Sequence, residues 1–273
     1  MKRFALLGAL LLLAGCGGRT LTVCADPNNM PFSNQRGEGL ENKLAELLAH
    51  DLDAELDYVW WSQRRGWMRN TLGEGRCDAW MGVPSTLEAL STTRPYYRSG
   101  YVFVSRADKG LEGLSLDDPR LRNLAIGVQL AGDDGANPPP ADALARRGLT
   151  DRIRGFMLYG DNSRPNPPAH IVHAVERGDV DLALVWGPLA GWHAARSPVP
   201  LRVEPVTPWM DQGRWPMVFD ISVGVAKDDI ELRREIDKSL ARNRSSIRDI
   251  VAAFHVPLAP GGCGIGDRAG RGR

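Results

Sequence analysis

Leu21-Thr22-Val23-Cys24-Ala25-Asp26-Pro27-Asn28-Asn29-Met30-Pro31-Phe32-Ser33-Asn34 begins as a run of β-formers and breaks abruptly into Asp, Pro and Asn. A buried parallel strand that ends in a loop at its carboxyl edge has this composition. In open α/β sheets ligands gather at that edge. The rest of the chain can therefore be asked whether it builds a cleft around Asp26 to Asn34.

Beyond Asn34 the chain alternates between helices and strands. Gly37 to His50 carries Leu40, Leu44, Leu47 and Leu48 at helical spacing, with Glu41, Lys43 and Glu46 read as outward. Glu55 to Trp61 reads as a strand, Gln63 to Gly75 as a second helix, and Ala79 to Val83 as another strand. Such alternation predicts a parallel sheet with helices on its faces. Pro95 then stops any helix, and Tyr96 to Val104 is extended, as a strand crossing between lobes would be. A second alternation comes next: strands at Asn123 to Gln129, Arg154 to Leu158 and Val180 to Trp186, and helices at Ala141 to Arg147 and Ala169 to Arg177. Ser197 to Pro216 is proline-punctuated and irregular. A last strand at Phe219 to Ala226 precedes helices at Glu231 to Asn243 and Ser245 to Phe254. The expected organisation is lobe 1 at 20–97 plus 222–258, lobe 2 at 101–218, and two crossings that form a hinge over a cleft.

The ends are expected to lie outside this fold. Lys2 and Arg3 precede the apolar run Phe4 to Leu13, which has the order of a secretory signal and is too short to span a bilayer. Leu13-Ala14-Gly15-Cys16 resembles the lipobox of bacterial lipoproteins, whose cysteine is acylated; an ordinary cleaved signal is the alternative. Both readings remove residues 1–15 and export the protein. At the other end, 259–273 is a Gly- and Arg-rich tail expected to be disordered. The full chain of 273 residues has 34 basic and 33 acidic side chains, so no basic field recommends a nucleic-acid partner. Export puts the thiols in an oxidising compartment, where Cys24 and Cys77 suggest a disulfide if their strands are neighbours. Metal binding competes, but neither cysteine has a second close ligand. Cys263, in the tail, is left over.

Several segments together resemble a known family. Cys24 to Asn34, Cys77-Asp78-Ala79-Trp80-Met81-Gly82-Val83-Pro84, Thr93-Arg94-Pro95-Tyr96-Tyr97-Arg98-Ser99, Gly127-Val128-Gln129-Leu130, Tyr159-Gly160-Asp161, Pro165-Asn166-Pro167-Pro168 and Val185-Trp186-Gly187-Pro188-Leu189-Ala190-Gly191 run in order through residues 20–258. They resemble the type II periplasmic solute-binding proteins, and within them the quinoprotein (methanol) dehydrogenase-associated MxaJ/XoxJ-like group. That resemblance implies a two-lobed α/β fold of two mixed sheets flanked by helices, joined by a two-stranded hinge with a central cleft. It further implies a non-enzymatic accessory of a PQQ-dependent methanol or related alcohol dehydrogenase. No cofactor of its own is expected, PQQ and a metal belonging to the partner. Pro84 to Leu90 departs from the pattern by lacking a Gly and an Asp.

Amino-acid receptors of this class place an arginine after the third strand for the ligand carboxylate, and an acid after a late strand for its amine. Thr86-Leu87-Glu88-Ala89-Leu90 and Trp186-Gly187-Pro188 stand there instead, so a free amino acid is not the expected ligand. Gly132-Asp133-Asp134-Gly135-Ala136-Asn137 reads either as a capped turn or as a contact for a cation or protein. The expected cleft residues are Asp26, Asn28, Asn29, Phe32, Asn34, Arg94, Tyr96, Arg98, Gln129, Asp133, Asp134, Asn137 and Trp186.

Catalytic signals are thin. His170 and His173 have no third ligand nearby, His50, His193 and His255 are isolated, and Ser99 and Ser222 lack a readable His and acid. Glu38 with Glu41, like Asp133 with Asp134, reads as solvated carboxylates. Of the eight tryptophans, Trp60, Trp61, Trp80 and Trp186 sit near strand ends and serve core or cleft. Trp209 and Trp215, in the proline-rich segment, are candidate anchors for a protein partner.

Overall fold

The computed structural model describes residues 18–63, 66–130, 137–157 and 166–261. The first lobe opens with β1 (Arg19–Ala25), flanked in parallel by β2 (Ala54–Trp60) and β3 (Ala79–Pro84). Between β1 and β2 runs α1 (Leu40–Asp51). Its Leu40, Leu44 and Leu48 are buried against the sheet and the closing helices, at about 2 kcal/mol per leucine removed from water.

β4 (Tyr97–Arg106) carries the chain into the second lobe. There it is antiparallel to β7 (Leu182–Trp186), which in turn is parallel to β5 (Ile126–Leu130), and β6 (Ile153–Met157) forms the edge. Helices α2 (Pro139–Arg146) and α3 (His170–Arg177) lie over this sheet, and α4 (Gly187–Ala194) starts directly from β7. After β8 (Leu201–Pro205), antiparallel to β4, the chain returns through β9 (Val218–Val225) and ends in α5 (Ile230–Arg242) and α6 (Arg244–Ala253). The hinge is the ladder Val218–Ile221 against Tyr97–Gly100, which makes one hydrogen-bonded series in the order β2-β1-β3-β9-β4-β7-β5-β6.

Three segments differ from expectation. Between Gly66 and Gly75 there is no helix but a series of turns ending in a 3-10 turn at Leu72–Glu74. Gly66 and Gly75 hold positive φ there, and Trp67 and Leu72 pack on Cys24, Cys77 and Trp80 rather than along a helix face. Ser197 to Pro216 is more regular than its prolines suggest: it holds β8 and a small antiparallel pair, Met210–Asp211 with Trp215–Pro216. The third is α4, which Gly187, Pro188 and Gly191 concealed. A Cβ at Gly191 would overlap the His255 carbonyl oxygen, so glycine is what lets this helix lie against the C-terminal segment.

Cys24 and Cys77 form a disulfide with their Cα atoms 5.6 Å apart. It lies in a small core of its own with Trp80, Val83 and Leu72. Val256 to Leu258 return to the hinge, where Ser99 Oγ donates to the Pro257 carbonyl at 2.6 Å. The expected signal segment, Cys16 and Cys263 lie outside the described residues.

Candidate functional site

The loop after β1 is shaped by its own side chains. Asp26 accepts from the main-chain N–H of Asn28 at 2.9 Å and of Gln63 at 2.7 Å. Ser33 Oγ donates to the Asp26 carbonyl at 2.8 Å. Asn34 Oδ1 accepts from the N–H groups of Arg36 and Glu38, while Asn42 Oδ1 takes the N–H of Asn34 and of Gly39. Asp26 with Asn28 and Asn34 with Arg36 make Asx-type turns, and Asn42 caps the start of α1, so that side-chain oxygens replace absent secondary-structure partners.

Held by this frame, Asn29 and Phe32 face a cavity of about 240 Å³ between the lobes. Its other described walls are Glu41 from α1, Gln63, Gly82 and Pro84 from β3, Tyr97 and Tyr101 from β4, Gln129 from β5, Pro168, Trp186 and Leu189, and Phe219 and Ile221 from β9. Tyr101, Trp186 and Phe219 meet edge to face, with ring centroids 5.4, 6.0 and 6.3 Å apart. Among the described residues no lysine or arginine lines the cavity.

Of the expected cleft residues, Asn29, Phe32, Gln129 and Trp186 line this cavity. Asn28 sits at its rim and reaches the second lobe, its Oδ1 accepting the Asn166 N–H at 3.2 Å. Others are placed elsewhere. Asp26 and Asn34 are buried and spend their side-chain oxygens on main-chain N–H groups of the loop and its continuation and, for Asp26, of Gln63. Arg94 is exposed, and its N–H donates to Asp237 of α5, away from the cleft. Tyr96 is in the core, where its hydroxyl accepts the Gly82 N–H at 3.0 Å. Arg98 lies beside Asp220 at 3.6 Å, and its carbonyl accepts from Ala259. Asn137 is exposed ahead of α2 and is not among the lining residues. Asp133 and Asp134 lie outside the described residues.

Glu41, read from periodicity as outward and solvated, is the main correction. It lies in the first turn of α1, directly after the loop, and its carboxyl lies over the main chain of Gly82, where a Cβ would collide with Oε1. Gly82 has φ of 72° and sits where the β3–β9 register shifts. This is a β-bulge that only glycine fills without strain. Among the described residues no hydrogen-bond donor reaches the Glu41 carboxyl, and burial, then the nearby Asp26, push it up to about 8. A helix that starts at the carboxyl edge of a parallel sheet offers its first turn to the ligand side, a signal stronger than the 3.6-residue period. Tyr97, Tyr101 and Phe219 were also missed, because alternation along a strand says which residues share a face but not which face meets the cleft.

The histidines pair otherwise than spacing suggested. His173 meets His193 edge to face at 5.7 Å, and Asn166 Nδ2 is 3.2 Å from His193 Nε2. Burial, then His173 and Arg196, hold His193 down to about 4. Among the described residues no group of three or more His, Cys, Asp or Glu could hold a metal. Of the candidate anchors, Trp209 is 43% exposed and adjoins Met210 at 48%. Trp215 is half-buried, with the Arg146 guanidinium 3.8 Å from its ring centroid, so it serves structure. Asp211 of the same hairpin is fully buried and takes Arg146 and Arg147 at 2.7 Å each.

Two α/β lobes joined by a two-stranded hinge, with an aromatic cleft at the carboxyl edges of their parallel strands, define a periplasmic binding protein of type II. No protein-family model matches the chain. It is 32% identical over 253 residues to Protein MoxJ of Methylorubrum extorquens, covering 88% of this chain and 82% of that one. The crystal structure of MxaJ from Methlophaga aminisulfidivorans MPT matches with a TM-score of 0.77 at 30% identity, over 88% of this chain and 100% of the other. That of the periplasmic binding protein XoxJ from Methylobacterium extorquens AM1 gives 0.72 at 34%, over 88% and 99%. The chain belongs to the MoxJ family of binding proteins, with MxaJ and XoxJ. Among the described residues no helix is long and apolar enough to cross a membrane.

Proposed function

We propose that the protein is an accessory partner of a PQQ-dependent methanol or related alcohol dehydrogenase in the periplasm, where it assists the maturation, activation or function of that enzyme. The observation that carries this reading is the cleft wall, which among its described residues has no guanidinium or ammonium for a ligand carboxylate. Thr86 to Leu90, where an amino-acid receptor would supply one, holds no arginine, and Leu87 and Leu90 turn onto the disulfide core. A MoxJ-family chain whose described cleft wall lacks that charge is better suited to a role beside an enzyme than to amino-acid import. It catalyses nothing itself on this reading, and the dehydrogenase carries the PQQ and the metal. Acylation of Cys16 would keep the protein at the membrane surface. Trp209 and Met210, exposed on a hairpin whose base is fixed by Asp211 with Arg146 and Arg147, offer a rigid apolar contact to a protein.

Affinity capture of the tagged, mature protein from the periplasm of its host during growth on an alcohol tests this. A quinoprotein dehydrogenase should be enriched, and less so for Trp209→Ala. Capture without a dehydrogenase would overturn it. A second reading, a receptor for a small solute other than an amino acid in an ABC importer, is favoured by the 240 Å³ cavity between the lobes. A permease and an ATPase among the captured proteins would support it.

A further inference from the structure

The geometry points to a cleft that binds a small organic cation of the alkylammonium class, held by aromatic faces on its walls and by the Glu41 carboxylate on its floor. Three features converge on that chemistry. The described wall presents Phe32, Tyr97, Tyr101, Trp186 and Phe219, so much of it is aromatic surface, whose negative π faces attract an alkylated ammonium. Asn29, Gln63 and Gln129 add amide oxygens able to accept from N–H or O–H groups, although the Gln63 oxygen already takes Asn29 Nδ2 at 3.3 Å. The described lining has one acid, Glu41, and no base. Among the described lining residues an anion would meet no countercharge, and a neutral solute could hydrogen-bond the carboxyl but would not balance its ionised form.

The surroundings of Glu41 suit such a ligand for a second reason. Its carboxyl is faced by Asp26 from the opening loop, by Tyr58 of β2, and by Tyr96 and Tyr97 at the start of the crossing strand, with no cation among these neighbours. Burial, then Asp26, push it up to about 8, so at neutral pH it is mainly protonated when no cation lies beside it. An ammonium there restores the charged form, and the acid releases its proton to solvent. Binding is thus coupled to the loss of up to one proton, and affinity rises with pH until Glu41 is ionised in the free protein.

The experiment is titration calorimetry on the mature protein with choline, with methylammonium, and with 3,3-dimethylbutan-1-ol, the neutral isostere of choline. At least one cation should bind at or below about millimolar, and choline should bind at least about tenfold more tightly than the isostere. The observed heat should vary with the ionisation enthalpy of the buffer, reporting proton release. Glu41→Gln keeps the shape and removes the charge. It should weaken cation binding about tenfold and abolish the buffer dependence, while its melting temperature shows that it folds. Equal affinity for choline and its isostere, no binding of either cation at about 10 mM, or unchanged binding and proton release in Glu41→Gln would each overturn the inference. None of these outcomes depends on whether a dehydrogenase is the protein's partner.

Discussion

Asn28 Oδ1 accepts the main-chain N–H of Asn166 at 3.2 Å, a hydrogen bond that ties the opening loop of the first lobe to the second lobe at the cleft rim. The hinge ladder and the packing of α4 on the C-terminal segment also join the lobes, and this contact adds to them at the cleft rim. A neutral hydrogen bond of this kind contributes about 1 kcal/mol net, or several-fold in a two-state population. Asn28→Ala should therefore raise the open fraction, read as a larger radius of gyration by small-angle scattering, with a nearly unchanged melting temperature.

The same rim should respond to acid. His193 is neutral in the folded protein near pH 7 and is held down to about 4 by burial first, then by His173 and Arg196, with the Met30 carbonyl opposing them. An exposed imidazole titrates near 6.5. The unfolded chain therefore takes up a proton between about 6.5 and 4 that the folded protein refuses. The fold keeps this contribution in full above that window and loses on the order of 3 kcal/mol as pH falls through it. Melting temperatures at pH 7 and 4.5 should differ more for the wild type than for His193→Gln.

Gly82 positions the acid on the cleft floor. Gly82→Ala forces a side chain to φ near 72° and drives it into Glu41, so a loss of about 1–2 kcal/mol is expected from backbone strain alone. Denaturant unfolding measures it. The same variant should disturb any ligand that Glu41 contacts.

The disulfide closes a sequence separation of 53 residues. In the chain-entropy model Cys24→Ser with Cys77→Ser should cost about 4 kcal/mol, read as a lower midpoint in urea. Alkylation of both thiols without reduction, in protein taken from the periplasm, would show that the bond does not form there.

The fold was largely legible in sequence, since alternating apolar strands and amphipathic helices leave few topologies open. The return of the chain was readable because Phe219 to Ala226 is a strand with only helices after it. The cleft was legible at the carboxyl ends of parallel strands, as with Gln129 and Trp186, and in the loop that follows β1, as with Asn29 and Phe32. It was not legible at Arg94 and Tyr96, just before the crossing strand, where the Arg94 main chain meets α5 and Tyr96 sits in the core. Glu41 was hidden because a charged residue beside Leu40 looks solvent-facing by period, whereas Gly39 brings this end of α1 against Phe32 and under the cleft. Gly82, whose bulge makes room for that carboxyl, lies far away in sequence, and single-sequence patterns carry no such pairing.

The most direct test of the proposed role is PQQ-dependent methanol oxidation in periplasmic extracts of a strain lacking this protein, normalised to the amount of dehydrogenase polypeptide. The expected result is a loss of specific activity that is restored by a plasmid copy and less well by the Trp209→Ala variant. Unchanged specific activity and unchanged dehydrogenase abundance in the deletion strain would contradict it.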